Sequence, residues 1–432
     1  MSGARPNEDT TAAVAGAVHA PAGAAGPPSL LPPRTAAVVF LAFAFAYFLS
    51  ALLRAITATL APTLTREFDL NANELGLLAG GYFFGFAAVQ LPLGTWLDRH
   101  GPKRVILGFL LLAVAGCIAF SLATSFTALL AARVLCGVGV SACLMAPLTG
   151  FRRWLSPTGQ LRANSWMLMT GSFGMVASTL PVQWLMPVMG WRPLFLGLAI
   201  AVALSMAAIA WKVPRWDDGP APAAGARPGG YGQVWRHPYF RRMCGIGFFN
   251  YGGMIAMQTL WAGPWMVRVA GYAPLESAAG LFAINLGMLA TFWGWGMLNP
   301  WLARKGLTPE RLIAAGLPLS FLVLAAIIIA GPAAGAATWA LFCVSSTFVS
   351  LAQPAIGMAF PPALAGRALS AYNLVIFAGI FVVQWGIGLL VDGFAAVGLS
   401  QTASFRSAMA VFLACCVMSY GYFMLAKDNS RQ

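Results

Sequence analysis

Twelve apolar stretches, near 36–61, 74–94, 104–123, 127–150, 164–185, 193–212, 241–264, 276–299, 310–330, 336–360, 369–391 and 404–425, recur along the chain with short connections between them. Crossing a bilayer takes about 20 apolar helical residues. The chain is 59% hydrophobic and only 9% charged, against roughly 25% charged in soluble domains, so a water-exposed surface cannot be built from it. The expected fold class is an all-α membrane protein with twelve transmembrane helices. Its first partner is the lipid bilayer, and soluble enzymes, secreted scaffolds and nucleic-acid binders are excluded. No nucleophile–base pair, metal cluster or phosphate loop rises above background, so neither enzyme activity nor a cofactor is expected.

The connections define the domains. Residues 1–33, rich in Ala, Pro and Gly without a continuous apolar core, read as a disordered cytoplasmic tail. A six-helix half is expected over 34–212 and a second over 241–426, followed by a tail at 427–432. Between them 213–240, carrying Pro214, Pro220, Pro222, Gly225, Pro228 and Gly229, reads as a flexible cytoplasmic linker. The net charge of +14 would ordinarily raise the question of nucleic acid. Of the 26 Lys and Arg, however, 20 fall in segments on the side of the termini and linker. Arg66, Arg192, Arg268 and Arg406 fall on the other side, and Arg54 and Arg133 lie within helices. By the positive-inside rule both termini are cytoplasmic. The Ala and Gly bias suggests a bacterial source and hence the inner membrane. The seven Cys lack zinc or disulfide spacing and read as packing residues.

The halves repeat. Arg99 and Arg304, Gly101 and Gly306, Arg162 and Arg367, and Gly174 and Gly379 are each 205 residues apart. Two pseudo-symmetric six-helix halves in parallel orientation point to alternating access around a midplane solute site.

The segment Gly94-Thr-Trp-Leu-Asp98-Arg99-His-Gly101-Pro-Lys103-Arg104 resembles the signature of the major facilitator superfamily. The resemblance implies a cytoplasmic gate. In it Gly94 allows close helix approach, Gly101 makes the turn, and Asp98 faces a helix N-terminus while Arg99, Lys103 and Arg104 hold the inner surface. The counterpart Ala303-Arg304-Lys305-Gly306 lacks the acid. Arg133, Gly137, Gly139 and Pro147 follow the superfamily's fourth-helix pattern, and Arg133 is assigned to the gate with them. Arg152 and Arg153 stand where relatives often place an acid. The resemblance also favours a functional monomer.

Arg54 is the residue most suggestive of chemistry, because a charge inside a spanning helix is costly and marks function by default. An Arg eight residues before Pro62 in the first helix resembles the organophosphate/phosphate antiporter branch, where it binds the substrate anion and a seventh-helix arginine completes a clamp. Here the aligned seventh-helix positions are Ala256 or Thr259, so a twofold phosphate clamp is not expected. A carboxylate or other singly charged anion suits one guanidinium. The alternative is snorkelling to the interface. Tyr47 and Ser50, seven and four residues earlier, share the face of Arg54. In the arrangement that the superfamily resemblance implies, Asn250, Tyr251, Gln258 and Trp261, with Asn285 of the eighth helix, are candidates for the opposite wall, or else for glue between helices. All twelve Asp and Glu lie in tails, loops or helix ends, which argues against a carboxylate proton relay. The expected function is transport of a small solute, an organic anion by preference. The alternatives are a transporter-like sensor, drug or metabolite efflux, and copper import. Eighteen Met suggest the last, but no His lies in the seventh or eighth helix, and packing explains the Met better.

Overall fold

The structure is a computed structural model. It describes residues 30–215 and 230–426 apart from a few side chains within helices, that of Asp98 among them. Most of the expected N-terminal tail, residues 216–229 of the expected linker, and 427–432 lie outside the described residues.

Each apolar run becomes a helix. The first half comprises α1 (Pro33–Phe68), α2 (Ala72–Ala88, continued by Gln90–Leu97 after a 41° bend), α3 (Arg99–Leu122), α4 (Phe126–Trp154), α5 (Pro157–Ala177 and Leu180–Met189) and α6 (Trp191–Lys212). The second comprises α7 (238–268), α8 (Pro274–Arg304), α9 (Pro309–Ala330), α10 (Ala336–Ala359), α11 (Pro362–Ala396) and α12 (Gln401–Leu425). Among the described residues nine are long and apolar enough to cross a membrane, and ten if bent α2 counts as one span. The two others, α5 and α7, are interrupted, and the fold is consistent with twelve crossings. The helices alternate in direction. The start of α1, the end of α12 and the facing ends of α6 and α7 therefore share one face, here the linker face, and the turns after α1, α3, α5, α7, α9 and α11 share the far face.

Local chemistry sets the helix ends. Asn71 and Glu74 form a reciprocal capping box at the start of α2, and Ser125, Ser156, Thr308 and Ser400 each cap a helix with a hydroxyl. Gly101 at φ 74° and Gly306 at φ 75° take the left-handed conformation that turns α2 into α3 and α8 towards α9. They are one of the four pairs of the sequence repeat.

A second pair fixes how the halves correspond. A Cβ on Gly174 of α5 would collide with the Phe48 carbonyl of α1, and one on Gly379 of α11 with the Phe248 carbonyl of α7. The α1–α5 crossing of the first half is thus remade as α7–α11 in the second. The halves meet where α2 packs along α11, α1 on α7, and α5 on α8. The α2–α11 seam is backbone-close, since side chains on Gly76 or Gly388 would strike the carbonyls of Gln384 or Ala72. Leu111, Trp184, Ile200, Leu204 and Leu322 turn outward on the helix flanks and are mostly exposed, a surface that only hydrocarbon solvates without penalty.

Candidate functional site

Arg54 sits midway along α1, between the halves. Its guanidinium lies beside the hydroxyls of Tyr47 and Tyr82, and Tyr251 of α7 and Cys143 of α4 are within electrostatic reach. Its Cζ is 5.9 Å from the ring centres of both Phe86 on α2 and Phe377 on α11. Those rings stack on each other across the seam at 4.1 Å. The Tyr82 hydroxyl donates to the Ser50 carbonyl at 3.0 Å, which holds the phenol against α1.

The energetics leave this charge undercompensated. An arginine at mid-bilayer depth costs about 2.5–3.5 kcal/mol on insertion scales, and a desolvated cation–π contact returns roughly 2. Arg54 Nε is buried without a hydrogen-bond partner. Among the described residues none of those around the guanidinium is a carboxylate, so its charge has no counter-charge there.

Arg133, expected at the gate, lies instead in the apolar core and is fully buried. Its Nη2 donates to the Arg54 carbonyl at 3.4 Å and its Cζ lies 5.0 Å over the Tyr82 ring. Gly137, one turn on, lets α4 approach α2 at Tyr82 closely enough for that contact, so the structure places Arg133 beside Arg54 and away from the α2–α3 turn.

At the turn itself Arg99 and Arg104 are exposed, and Lys103 Nζ donates to the Val213 carbonyl just past α6 at 2.7 Å. A cation at a helix C-terminus is favourable. The Asp98 side chain lies outside the described residues. Gly94 differs from expectation: no atom lies within 4 Å of where its Cβ would be, so it mediates no close helix approach in this structure.

A family model for the Major Facilitator Superfamily matches residues 43–384. The chain belongs to that superfamily. Among its relatives, the 4-hydroxybenzoate transporter PcaK of Acinetobacter baylyi is 24% identical over 59% of this chain and 62% of its own length. The probable sulfoacetate transporter SauU of Cupriavidus necator is 26% identical over 52% of this chain and 56% of its own. The chain thus spans about three-fifths of the length of these curated relatives. A solved bacterial homolog of the human lysosomal transporter Spinster, inward-facing and unoccupied, superposes with a TM-score of 0.74 at 18% identity, covering 92% of this chain and 98% of that one. The likeness is one of fold.

Within this superfamily member the remaining sequence candidates divide. Tyr251 joins Arg54 and Tyr47. Asn250 turns to α12, donating to Ser419 Oγ at 2.7 Å and the Cys416 carbonyl at 3.3 Å. Gln258 donates to Asn285 at 2.9 Å, and Asn285 to the Leu281 carbonyl of its own helix. Trp261 Nε1 donates to the Gln384 carbonyl at 3.0 Å, which ties α7 to α11. The structure adds Tyr82, Phe86 and Phe377. Tyr82 had a signal in the run Gly80-Gly81-Tyr82, where a lone phenol follows small residues, whereas nothing distinguishes Phe86 or Phe377 from other apolar helix residues.

The pseudo-symmetric counterpart of Arg54 also changes. Phe48 and Phe248 contact the paired glycines at a spacing of 200 positions, and Ala51 and Gly252 do so at 201. Pro62 and Pro264 correspond at 202. The spacing grows because α7 contains two π-helical stretches, Ile246–Tyr251 and Met257–Trp261, each admitting one extra residue. Between them Arg54 matches Ile255, in place of Ala256 or Thr259, and the second half again offers no cation.

Proposed function

We propose that the chain transports a small organic anion, a carboxylate, across the membrane by alternating access, with Arg54 as the anion ligand. The carrying observation is the Arg54 guanidinium, held between the halves by phenols and aromatic rings with an unpaired Nε and no neighbouring carboxylate. One guanidinium grips one carboxylate with two parallel bonds. Tyr47, Tyr82 and Tyr251 offer hydroxyls to the rest of the solute, and rocking of 34–212 against 241–426 exposes the site to either face. The names of PcaK and SauU support the reading, since 4-hydroxybenzoate and sulfoacetate both carry a carboxylate. The Lys and Arg asymmetry supports a bacterial inner-membrane location with cytoplasmic termini, and Arg99, Lys103 and Arg104 then belong to a cytoplasmic gate.

The test is thermal unfolding of the detergent-purified protein with carboxylates, phosphate esters, amino acids and sugars, beside Arg54→Gln. A ligand bound only by the native state raises the melting temperature. Stabilisation by carboxylates in wild type, lost in Arg54→Gln, is expected, together with uptake of the same compounds into proteoliposomes. Stabilisation by a neutral solute unchanged in Arg54→Gln would overturn the assignment.

A further inference from the structure

We infer a second anion site on the far face, above the Arg54 site, that captures the carboxylate before the halves open. A cavity of about 230 Å³ lies between α1 and α7, lined by Pro62, Thr65, Arg66, Leu75, Pro264 and Arg268. That volume accommodates a small organic acid. Its two cations are pseudo-symmetry mates: Arg66 and Arg268 are 202 positions apart, the same spacing as Pro62 and Pro264 in the same wall.

Of the four far-face arginines these two are the ones without structural work. Arg192 is paired with Glu67. Arg406 donates to the Ile328 and Ile329 carbonyls at the end of α9. Arg66 and Arg268 make neither a hydrogen bond nor an ion pair among the described residues. Asp392 brings a negative charge within electrostatic reach of Arg268, but it forms no ion pair with it, its two oxygens accepting from the backbone N–H groups of Ala72 and Asn73. Thr65 Oγ1 is buried in the same wall with no hydrogen-bond partner, a third polar group left over. Arg66 stands twelve residues beyond Arg54, about 18 Å along α1 at 1.5 Å per residue. Between the two levels Trp261 is bonded to Gln384 and Gly76 lies against it, so the cavity sits outside a closed seam.

Two cations at the mouth raise the local anion concentration and the capture rate, by on the order of tenfold for a focused pair, in a salt-dependent manner. The site takes its ligand class from the carboxylate reading above, yet it is separable from it. The experiment is calorimetric titration of the full chain in detergent with benzoate, for wild type, Arg54→Gln, and Arg54→Gln combined with Arg66→Gln and Arg268→Gln. The expected result is one weak saturable site surviving in Arg54→Gln and vanishing in the triple variant, with unchanged melting temperatures reporting intact folds. No residual binding in Arg54→Gln, or residual binding indifferent to the Arg66 and Arg268 substitutions, overturns the far-face site. Wild-type binding in Arg54→Gln overturns the Arg54 reading instead, and Arg66→Gln with Arg268→Gln in an otherwise wild-type chain then decides the far-face site. In sided proteoliposomes the same pair is expected to raise KM about tenfold for entry from the far face only, with the saturating rate unchanged. Near 1 M salt, where the Debye length is about 3 Å, wild type is expected to converge on the variant. An equal effect on entry from both faces overturns the proposal.

Discussion

Asp392→Asn is expected to loosen the far-face seam and shift the protein towards states open on that side. The carboxylate, near the end of α11, accepts the Ala72 N–H at 3.1 Å on one oxygen and the Asn73 N–H at 2.6 Å on the other. Both donors belong to the first turn of α2, in the opposite half, and Trp385 Nε1 adds a bond to Asn73 Oδ1 at 2.6 Å. Opening the far face requires all three to part. Asparagine keeps one acceptor and turns an amide N–H₂ towards the other donor, so one charge-assisted bond worth about 1.5–3 kcal/mol is removed. The lost charge at a helix N-terminus adds about 0.3–1 kcal/mol. Water recovers part of this because the site is only half-buried, leaving about 1.5–3 kcal/mol, or a shift of roughly 10- to 100-fold in the ratio of closed to open. Spin labels on exposed Thr124 and Val397, in a chain whose seven native Cys are replaced, would report the far-face separation by double electron–electron resonance. A new or enlarged long-distance population in Asp392→Asn is expected. A distance distribution identical to the parent's would refute the idea that this contact holds the seam.

Other substitutions separate local from inter-half effects. Gly388→Ala puts a methyl against the Ala72 carbonyl across the seam, where no flexible side chain can give way; it is expected to move the same label distances, while Gly94→Ala, with open space around it, leaves both distances and melting temperature unchanged. Tyr82→Phe removes the hydroxyl beside Arg54 and the bond to the Ser50 carbonyl but keeps the ring under Arg133. It is expected to lower stability by about 1 kcal/mol and to weaken stabilisation by carboxylates, as read by thermal unfolding with and without ligand.

Much of the fold was legible because a bilayer imposes a single length and a single chemistry on every crossing segment, so each apolar run maps to its helix within a few residues. Arg54 stood out for the same reason, as a charge where charge is expensive. Tyr47 was reachable by helical spacing and Tyr251 by the superfamily resemblance. Phe86 and Phe377 were not, since an aromatic ring in an apolar helix carries no contrast until its partner is known. At Asn250, Gln258 and Asn285 polarity alone left a solute wall and interhelical glue open, and the structure shows protein partners for all three. In a medium without water a buried amide needs a partner, and these find one on a neighbouring helix, or on their own helix in Asn285's case, before any solute arrives. Arg133 was visible as a buried charge, but its attachment to the Arg54 carbonyl needs α4 laid against α1 and α2, which no local pattern encodes.

The seventh helix shows why a constant offset between the halves could not deliver the matching residue. At the turns Gly101 and Gly306 keep the offset at 205, and Gly174 and Gly379 carry it into α5 and α11. Along α1 and α7 it climbs from 200 to 202 within the span of sixteen residues that holds both π-helical stretches. Each π-helical turn absorbs one extra residue, so the residues beyond it keep their face while the spacing between the halves grows by one. The face of α7 that mirrors Arg54 is therefore set between the two stretches, at Ile255. The one that mirrors Arg66 is set after both, at Arg268. The matching of Arg66 with Arg268 follows from counting both insertions, whereas no offset from 200 to 205 puts a cation opposite Arg54, since residues 254–259 contain none. On the carboxylate reading proposed above, that asymmetry suits a singly charged anion: two cations at the mouth would attract the ligand, and a single guanidinium between the halves would bind it weakly enough to release it on either side.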